Sequence, residues 1–475
     1  MMPRNEKLLI GPRIARFRKT LGLTQSRMAE DLGISTSYLN LMERNQRSLS
    51  AKVLLRMAEI YDFDIASFTG AGDAHLVAEV YETLRDPIFK GDSLSKNEAE
   101  DLVNVSPSAA RSLIKLYGKH RDTALRDSEN INDKNVELLE QSSQAVDSVR
   151  RFLHKQKNYF PALDAAAEKL AKELGSNKAQ IGTTLTNRLQ EVHGISVRVV
   201  PVDIMPQMLR YFDRHSKRIN LSELLPQSGR RFQLAFQISI LEYRNLIDEV
   251  VGTADLNGLE AEGLCRTTLA NYFAGAILMP YGRFLKEAET SKYDVDLLCH
   301  RFGTSFEQTA HRLTTLQKPD ARGIPFFFVR LDVAGNVSKR FSAGRFHFSR
   351  FGGACPIWNI HECFLTPDKT VTQIIQMPDD TTYFSIAKMV VRSNGTYKTP
   401  PQKLAIGLGC DIAYAPRLVY SKKYNLDDPQ PSKIGVNCHL CERPHCRQRA
   451  HAPLNRIISF DERRRGVSLY DFSET

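Results

Sequence analysis

Three cysteines fall within nine residues of this 475-residue chain, in the stretch VNCHLCERPHCRQRA that spans 436–450. Cys438, Cys441 and Cys446 follow the spacing C-x2-C-x4-C, with His439 and His445 between them. Thiolates this close together are soft anionic donors that suit Zn²⁺ or an iron–sulfur cluster, and either centre usually takes four ligands. Cys410 is the best fourth cysteine, because glycines around it would let backbone approach a cluster. His439 and His445 are the fallback ligands for zinc. Cys355 and Cys363, in ACPIWNIHECF, flank a core Trp358 and have no knuckle spacing. Cys265 and Cys299 sit in apolar helical contexts that suit buried thiols. Spacing alone leaves zinc and [4Fe–4S] both open.

A second group of functional side chains lies near the start. Around LTQSRMAEDLGISTSYLNLMERNQRSLS, Thr24 caps a short helix, Gly33 supplies a left-handed corner, and Ser35 caps a second helix whose Tyr38, Leu39 and Met42 face inward. Residues 8–20 and AKVLLRMAEIYDF add amphipathic helices on either side. Two helices joined by a glycine turn inside a five-helix bundle form a helix-turn-helix. The stretch L-T-Q-x-x-x-A-x-x-L-G-I-S-x-x-Y-L-N-x-M-E-R resembles the Xre/Cro type. That geometry points Thr36, Ser37 and Asn40 at base edges, beside the cap Ser35; an Asn can pair bidentately with adenine. Gln25, Arg44, Asn45, Arg47 and Lys52 are placed to hold phosphates.

The whole chain agrees with a polyanionic partner. Lys plus Arg number 65 against 54 Asp plus Glu, a net charge of +11 with a pI near 9.2. Length allows about three domains at ~150 residues each. No run of about 18 apolar residues occurs and the N-terminus lacks a secretory pattern, so a cytoplasmic protein with reduced thiols is expected.

The expected organisation is multidomain and mainly α, with an α+β C-terminal part. Residues 1–70 are the helix-turn-helix, and 71–155 read as a mostly polar helical linker or dimerisation region, in which RDSENINDKNVELLEQSSQAVDSVRRFLHKQ is an exposed connector or dimer arm. SPSAARSLIKLYGKH opens a helix there with Pro107 at its first position. In 156–320, DAAAEKLAKELG is a helix closed by Gly175 and GISVRVVPVD a short buried strand. From 321 to 475 the period turns to strands. IPFFFVRLDVAGNVSKRFS is a hairpin turning at Gly335-Asn336, TTYFSIAKMVVRSNGTYKTPP a hairpin turning at Asn394-Gly395, and KLAIGLGCDIAYAPRLVYS a further strand pair. The result is an antiparallel sheet with flanking helices.

SKRINLSELLPQSGRRFQLAFQISILEY resembles the ImmA/IrrE-type metallopeptidase-like domain, where a strand leads into a helix bearing H-E-x-x-H. There two His at i and i+4 bind zinc and the Glu activates water. The matching positions here are Phe236, Gln237, Ile238, Ser239 and Ile240, so the zincin-like domain is degenerate and no hydrolysis is expected. A ligand pocket is the simplest use for the retained scaffold.

CRTTLANYFAGAILMPYGRF and the region from CHRFGTSF to KRFS resemble the short-chain fatty-acyl-CoA regulator family of transcription factors, in the same domain order. The resemblance implies a regulator of acetate, propionate or glyoxylate-cycle genes that senses a short-chain acyl-CoA such as acetyl- or propionyl-CoA. It favours a [4Fe–4S] cluster on Cys410, Cys438, Cys441 and Cys446, with zinc as the alternative. Lys217, Arg218 and Arg301 are candidates for the CoA phosphates, and Tyr272 for the thioester or adenine. Such heads act on paired half-sites of duplex DNA, so a homodimer or dimer of dimers is expected. Two other readings stand beside this one: a redox- or oxygen-sensing factor without acyl-CoA control, and a regulatory metallopeptidase, which Phe236 and Ile240 argue against.

Overall fold

The computed structural model describes residues 11–44, 46–47, 49–61, 74–84, 86–89, 95–129, 133–175, 180–256, 258–344, 346, 348, 354–392, 397, 400–439, 441–453 and a few positions beyond. The chain divides near residue 130 into two compact units.

The first unit begins with helices Gly11–Thr20, Gln25–Leu32, Thr36–Glu43 and Ala51–Tyr61. Their apolar faces meet in a core of Ile14, Met28, Leu32, Leu39, Met42 and Met57. Local chemistry sets the boundaries as read from the sequence. Thr24 Oγ1 accepts from the Arg27 amide, Gly33 adopts φ 62°, and Ser35 Oγ accepts from the Tyr38 amide.

The first part of the 71–155 helical region has a core of its own. Helices Ala74–Thr83, Lys96–Val105 and Pro107–Glu129 close around Val80, Leu84, Ala99, Val103, Ala110 and Ile114. Each helix carries few apolar residues, but the few converge, which single-helix periodicity does not reveal. Pro107 opens its helix as expected. Arg16 from the first helix donates to the carbonyls of Asn104 and Val105, at 2.7 and 2.8 Å. It thereby meets the partially negative C-terminal end of the Lys96–Val105 helix and joins the first helical bundle to this second core.

The second unit starts with helix Asp133–Lys155, whose Val149 and Phe152 enter its core. The expected boundary at 155 therefore falls inside the unit. Helix Pro161–Leu174 ends at Gly175, φ 81°. A small sheet of β1 (Ser196–Val200), β2 (Arg210–Asp213) and β3 (Arg218–Ser222) runs in the order β1-β3-β2, with β3 parallel to β1 and antiparallel to β2. β1 is an edge strand and half exposed, not buried as its sequence led us to expect. Helices Gln227–Glu242 and Leu259–Leu278 pack on this layer through Leu234, Ile238, Leu269 and Phe273.

The larger sheet holds β4 (Phe327–Asp332), β5 (Val337–Ser342), β6 (Val371–Gln376), β7 (Thr382–Arg392), β8 (Gln402–Asp411) and β9 (Ser432–Lys433), ordered β5-β4-β8-β7-β6-β9. All neighbours are antiparallel except β6 and β9. The β4–β5 hairpin turns at Gly335, φ 85°, as expected. The Asn394-Gly395 turn lies outside the described residues. The strand pair expected in KLAIGLGCDIAYAPRLVYS is only half present. After β8 the chain goes into 3-10 turns at Ile412–Arg417 and Val419–Lys423, started by Asp411 accepting from the Ala413 amide.

Candidate nucleic-acid interface and sensor sites

On the Thr36–Glu43 helix the inward side chains Leu39 and Met42 fix the register, which leaves Thr36 and Ser37 exposed and Asn40 half-exposed on the other face. Arg44, Arg47 and Lys52 are exposed beside it. Asn45 lies outside the described residues. Gln25 behaves differently from its expected role. Its Nε2 donates to Glu43 Oε2 at 2.7 Å, and Glu43 is also held by Arg18 at 2.7 Å. Burial pushes the Glu43 carboxyl up, but the hydrogen bonds from Arg18 and Gln25 outweigh it and hold the group below its ordinary range. Gln25 is thus a strut that fixes the two helices relative to one another.

The Gln227–Glu242 helix places Phe236 and Ile240 on one partly exposed face, with Gln237 buried beside them. Neither Phe nor Ile offers a metal ligand. What lies there is a guanidinium: Arg210, from β2, sits 4.3 Å from the Phe236 ring centroid and donates to Gln237 Oε1 at 2.9 Å. The sequence did not single out Arg210, because its relation to the helix depends on the β2–β3 pairing.

The four expected CoA contacts do not converge. Tyr272 is core: it is 4 % exposed, its hydroxyl donates to Asp164, and it accepts from the Phe160 amide. Asp164 is in turn held by Arg312 at 2.6 Å, and Arg312 also donates to the Met279 carbonyl and Thr315. Burial and the Asp164 charge drive the Tyr272 hydroxyl well above its usual range. Arg301 pairs with Glu287. Lys217 is exposed at a left-handed turn, φ 47°, and Arg218 lies opposite Asp213 across the β2–β3 ladder.

The cysteines also regroup. Cys410 shares a face of β8 with Ile406 and Leu408, 1 % exposed, packed on the helical side of the sheet. Cys355 lies in the core on the opposite face, with Trp358. The glycines flanking Cys410 serve that other face. A Cβ at Gly407 would strike Val329 and Ile360, and one at Gly409 would strike Phe327. Cys410 is therefore a packed thiol, pushed strongly up by burial, and is separated from the knuckle by the sheet. Cys355 takes its place as neighbour. Burial raises its thiol most, hydrogen bonds from the Gly435 and Ile357 backbone lower it, and Cys441 and Cys438 are near enough to raise it further.

The loop bearing Cys438, Cys441 and Cys446 has no regular secondary structure. Buried Arg449 organises it, donating to the carbonyls of Cys438, Cys441 and Arg443. Gly435 runs so close to Cys441 that an added Cβ would lie 2.7 Å from its Sγ. His439 stacks on His451 at 4.3 Å. Among the described residues no three His, Cys, Asp or Glu side chains are arranged to hold a metal ion. Cys265 is buried as expected, and half-buried Cys299 donates to Thr309.

An Xre-type head followed by a degenerate peptidase-like domain and a sheet domain defines a class, the helix-turn-helix transcriptional regulator. Family profiles match in that order: helix-turn-helix over 14–68, IrrE N-terminal-like domain over 190–314, and short-chain fatty acyl coenzyme A regulator, C-terminal, over 315–470. The chain is 39 % identical to the HTH-type transcriptional regulator PrpR of Mycobacterium tuberculosis, covering 95 % of this chain and 93 % of that one. It is 37 % identical to RamB of the same organism, over 98 % of both chains. The propionyl-CoA carboxylase regulator of Cereibacter sphaeroides is 36 % identical, over 98 % of this chain and 99 % of that one. A solved Mycobacterium tuberculosis transcriptional regulator superposes with a TM-score of 0.65 at 42 % identity, covering 68 % of this chain and 98 % of that one. The chain belongs to the short-chain fatty acyl-CoA regulator family. Among the described residues no helix is long and apolar enough to cross a membrane.

Proposed function

We propose that this protein binds operator DNA in the cytoplasm as a homodimer or dimer of dimers, controls acetate- or propionate-type metabolism, and changes its DNA affinity when a short-chain acyl-CoA binds its second unit. The observation that carries this reading is the Gln227–Glu242 helix, where Phe236, Gln237 and Ile240 stand at the positions that hold metal and base in the resembled peptidases, and Phe236 and Ile240 are partly exposed on one face. The effector acts by preferring one of two arrangements of the protein, and its differential affinity sets the size of the response. Operator titrations with and without acetyl-CoA and propionyl-CoA test this. A shift of about 5- to 150-fold is the ordinary range for such coupling; unchanged operator affinity would sink the reading.

The cysteine-rich loop is the proposed seat of a [4Fe–4S] cluster, with zinc as the alternative. Cys438, Cys441 and Cys446 would hold it, joined by Cys355 in place of Cys410. What supports this reading is that Cys355 lies near enough to Cys441 and Cys438 to feel their charge, and that backbone hydrogen bonds reach its sulfur. Such a cluster would supply one-electron chemistry. Anaerobically prepared protein should contain iron and sulfide that Cys355→Ser lowers and Cys410→Ser leaves intact; the reverse pattern would restore Cys410.

A further inference from the structure

In peptidases with the H-E-x-x-H helix a metal cation sits over the ligand positions. In this protein the same place on the helix holds a different cation. The Arg210 guanidinium lies over the ring of Phe236, the first ligand position, and donates through Nη1 to Gln237, the position of the general base. Among the described residues Arg210 makes no ion pair. Burial is the influence that lowers its pKa, with no carboxylate opposing it. A partly buried guanidinium usually finds a counter-ion. Arg312, in the same unit, has Asp164. Among the described residues Arg210 meets a neutral amide and a ring face and nothing charged, so most of its five N–H donors remain for something else.

The surroundings specify that something. Phe236 and Ile240 are partly exposed on one helix face. The segment leading into β2 carries Ile204, Met208 and Leu209 at 67, 47 and 50 % exposure. Exposed apolar side chains just ahead of Arg210 in sequence, together with the partly exposed faces of Phe236 and Ile240, suit a ligand with a polar oxygen and a short apolar tail.

We propose that Arg210, set by Phe236 and Gln237, receives the carbonyl oxygen of a short-chain acyl group, as thioester or free carboxylate, at the place where a peptidase holds its metal. This rests on the acyl-CoA reading above and assigns its acyl end. The group is bound without being cleaved. Gln237 has no carboxylate to take a proton from water, and the guanidinium offers hydrogen bonds but no nucleophile.

The test is calorimetric titration of the full chain with propionyl-CoA, acetyl-CoA, CoA and propionate. Wild type is compared with Arg210→Met and with Arg214→Met, an exposed cation nearby. Arg210→Met should weaken acyl-CoA binding about ten- to hundredfold, the worth of a charge-assisted hydrogen bond, and leave CoA binding unaltered; Arg214→Met should change neither. Propionate that binds as tightly as propionyl-CoA and is lost in Arg210→Met identifies the free acid as the source; propionyl-CoA alone identifies the thioester. Should Arg210→Met melt early, Arg210→Lys keeps the charge and loses the fork, and should still weaken acyl-CoA binding about tenfold. Unchanged acyl-CoA affinity in a folded variant overturns the assignment and leaves the acyl-CoA reading standing. Wild-type protein that binds none of the probes overturns both.

Discussion

Arg312 and Arg210 lie in one unit and differ in every respect that separates structure from site. Arg312 is 2 % exposed and saturated by Asp164, the Met279 carbonyl and Thr315. Arg210 is partly open and, among the described residues, holds only Gln237 and the Phe236 ring. A closed network spends its donors inside the protein, whereas an open one keeps them for a ligand. The same division recurs elsewhere. In the DNA-reading head Gln25 is committed to Glu43 while Thr36, Ser37 and Asn40 stay available. Both Cys410 and Cys355 are packed into core on opposite faces of the sheet, and only Cys355 lies near enough to Cys441 and Cys438 to feel their charge.

The largest expected effect tests the closed end of this contrast. Arg312→Met leaves the Asp164 carboxylate buried without its cation and should cost ~3–5 kcal/mol of stability. Asp164→Asn together with Arg312→Met should recover part of that loss, because no bare charge remains. Urea denaturation of wild type and these two variants measures both. Arg210→Met, which strands only a neutral amide, should cost less than ~2 kcal/mol. If it proves as damaging as Arg312→Met, Arg210 is structural and the contrast fails.

A smaller effect is expected at the DNA-reading head. Asn40→Ala should remove ~1–3 kcal/mol of discrimination between the operator and its altered bases while sparing non-specific binding. Gln25→Ala should instead lower the melting temperature of the head and weaken all sequences alike. Competition titrations against single-base operator variants separate the two. Equal loss of discrimination in both variants would return Gln25 to the interface.

What could be read from the sequence follows the range over which each choice is made. Thr24, Gly33 and Ser35 act on neighbours three or four residues away, so the helix-turn-helix was legible from one short stretch. The disabled motif was legible because 236–240 are consecutive. Tyr272 was misplaced because its partners come from afar: Asp164 is 108 residues away, and Arg312 reaches that carboxylate across 148. Cys410 carried a signal that was available. In a strand it must share a face with Ile406 and Leu408, and the glycines beside it belong to the other face. Cys355 carried none, since its approach to Cys441 depends on how the large sheet brings residues 355 and 435–441 together.

The subtlest test of the closed networks is their response to acid. Glu43 stays ionised because hydrogen bonds from Arg18 and Gln25 overcome its burial, so its folded pKa lies below the unfolded value of about 4.3. A depressed carboxyl stabilises the fold above the unfolded pKa, and that contribution disappears as pH falls through the folded one. Melts of the full chain between pH 3 and 7 should therefore show the head losing stability below about pH 4. Glu43→Gln keeps the shape and removes the charge. It should lower the melting temperature at pH 7 and flatten the acid response, narrowing the gap to wild type as pH drops. Gln25→Leu should shift the wild-type acid transition upward, because the carboxylate loses one of its two donors. If both variants follow the wild-type acid curve, the Arg18–Glu43–Gln25 contact does not hold the head together, and Gln25 would again be free to reach the DNA backbone.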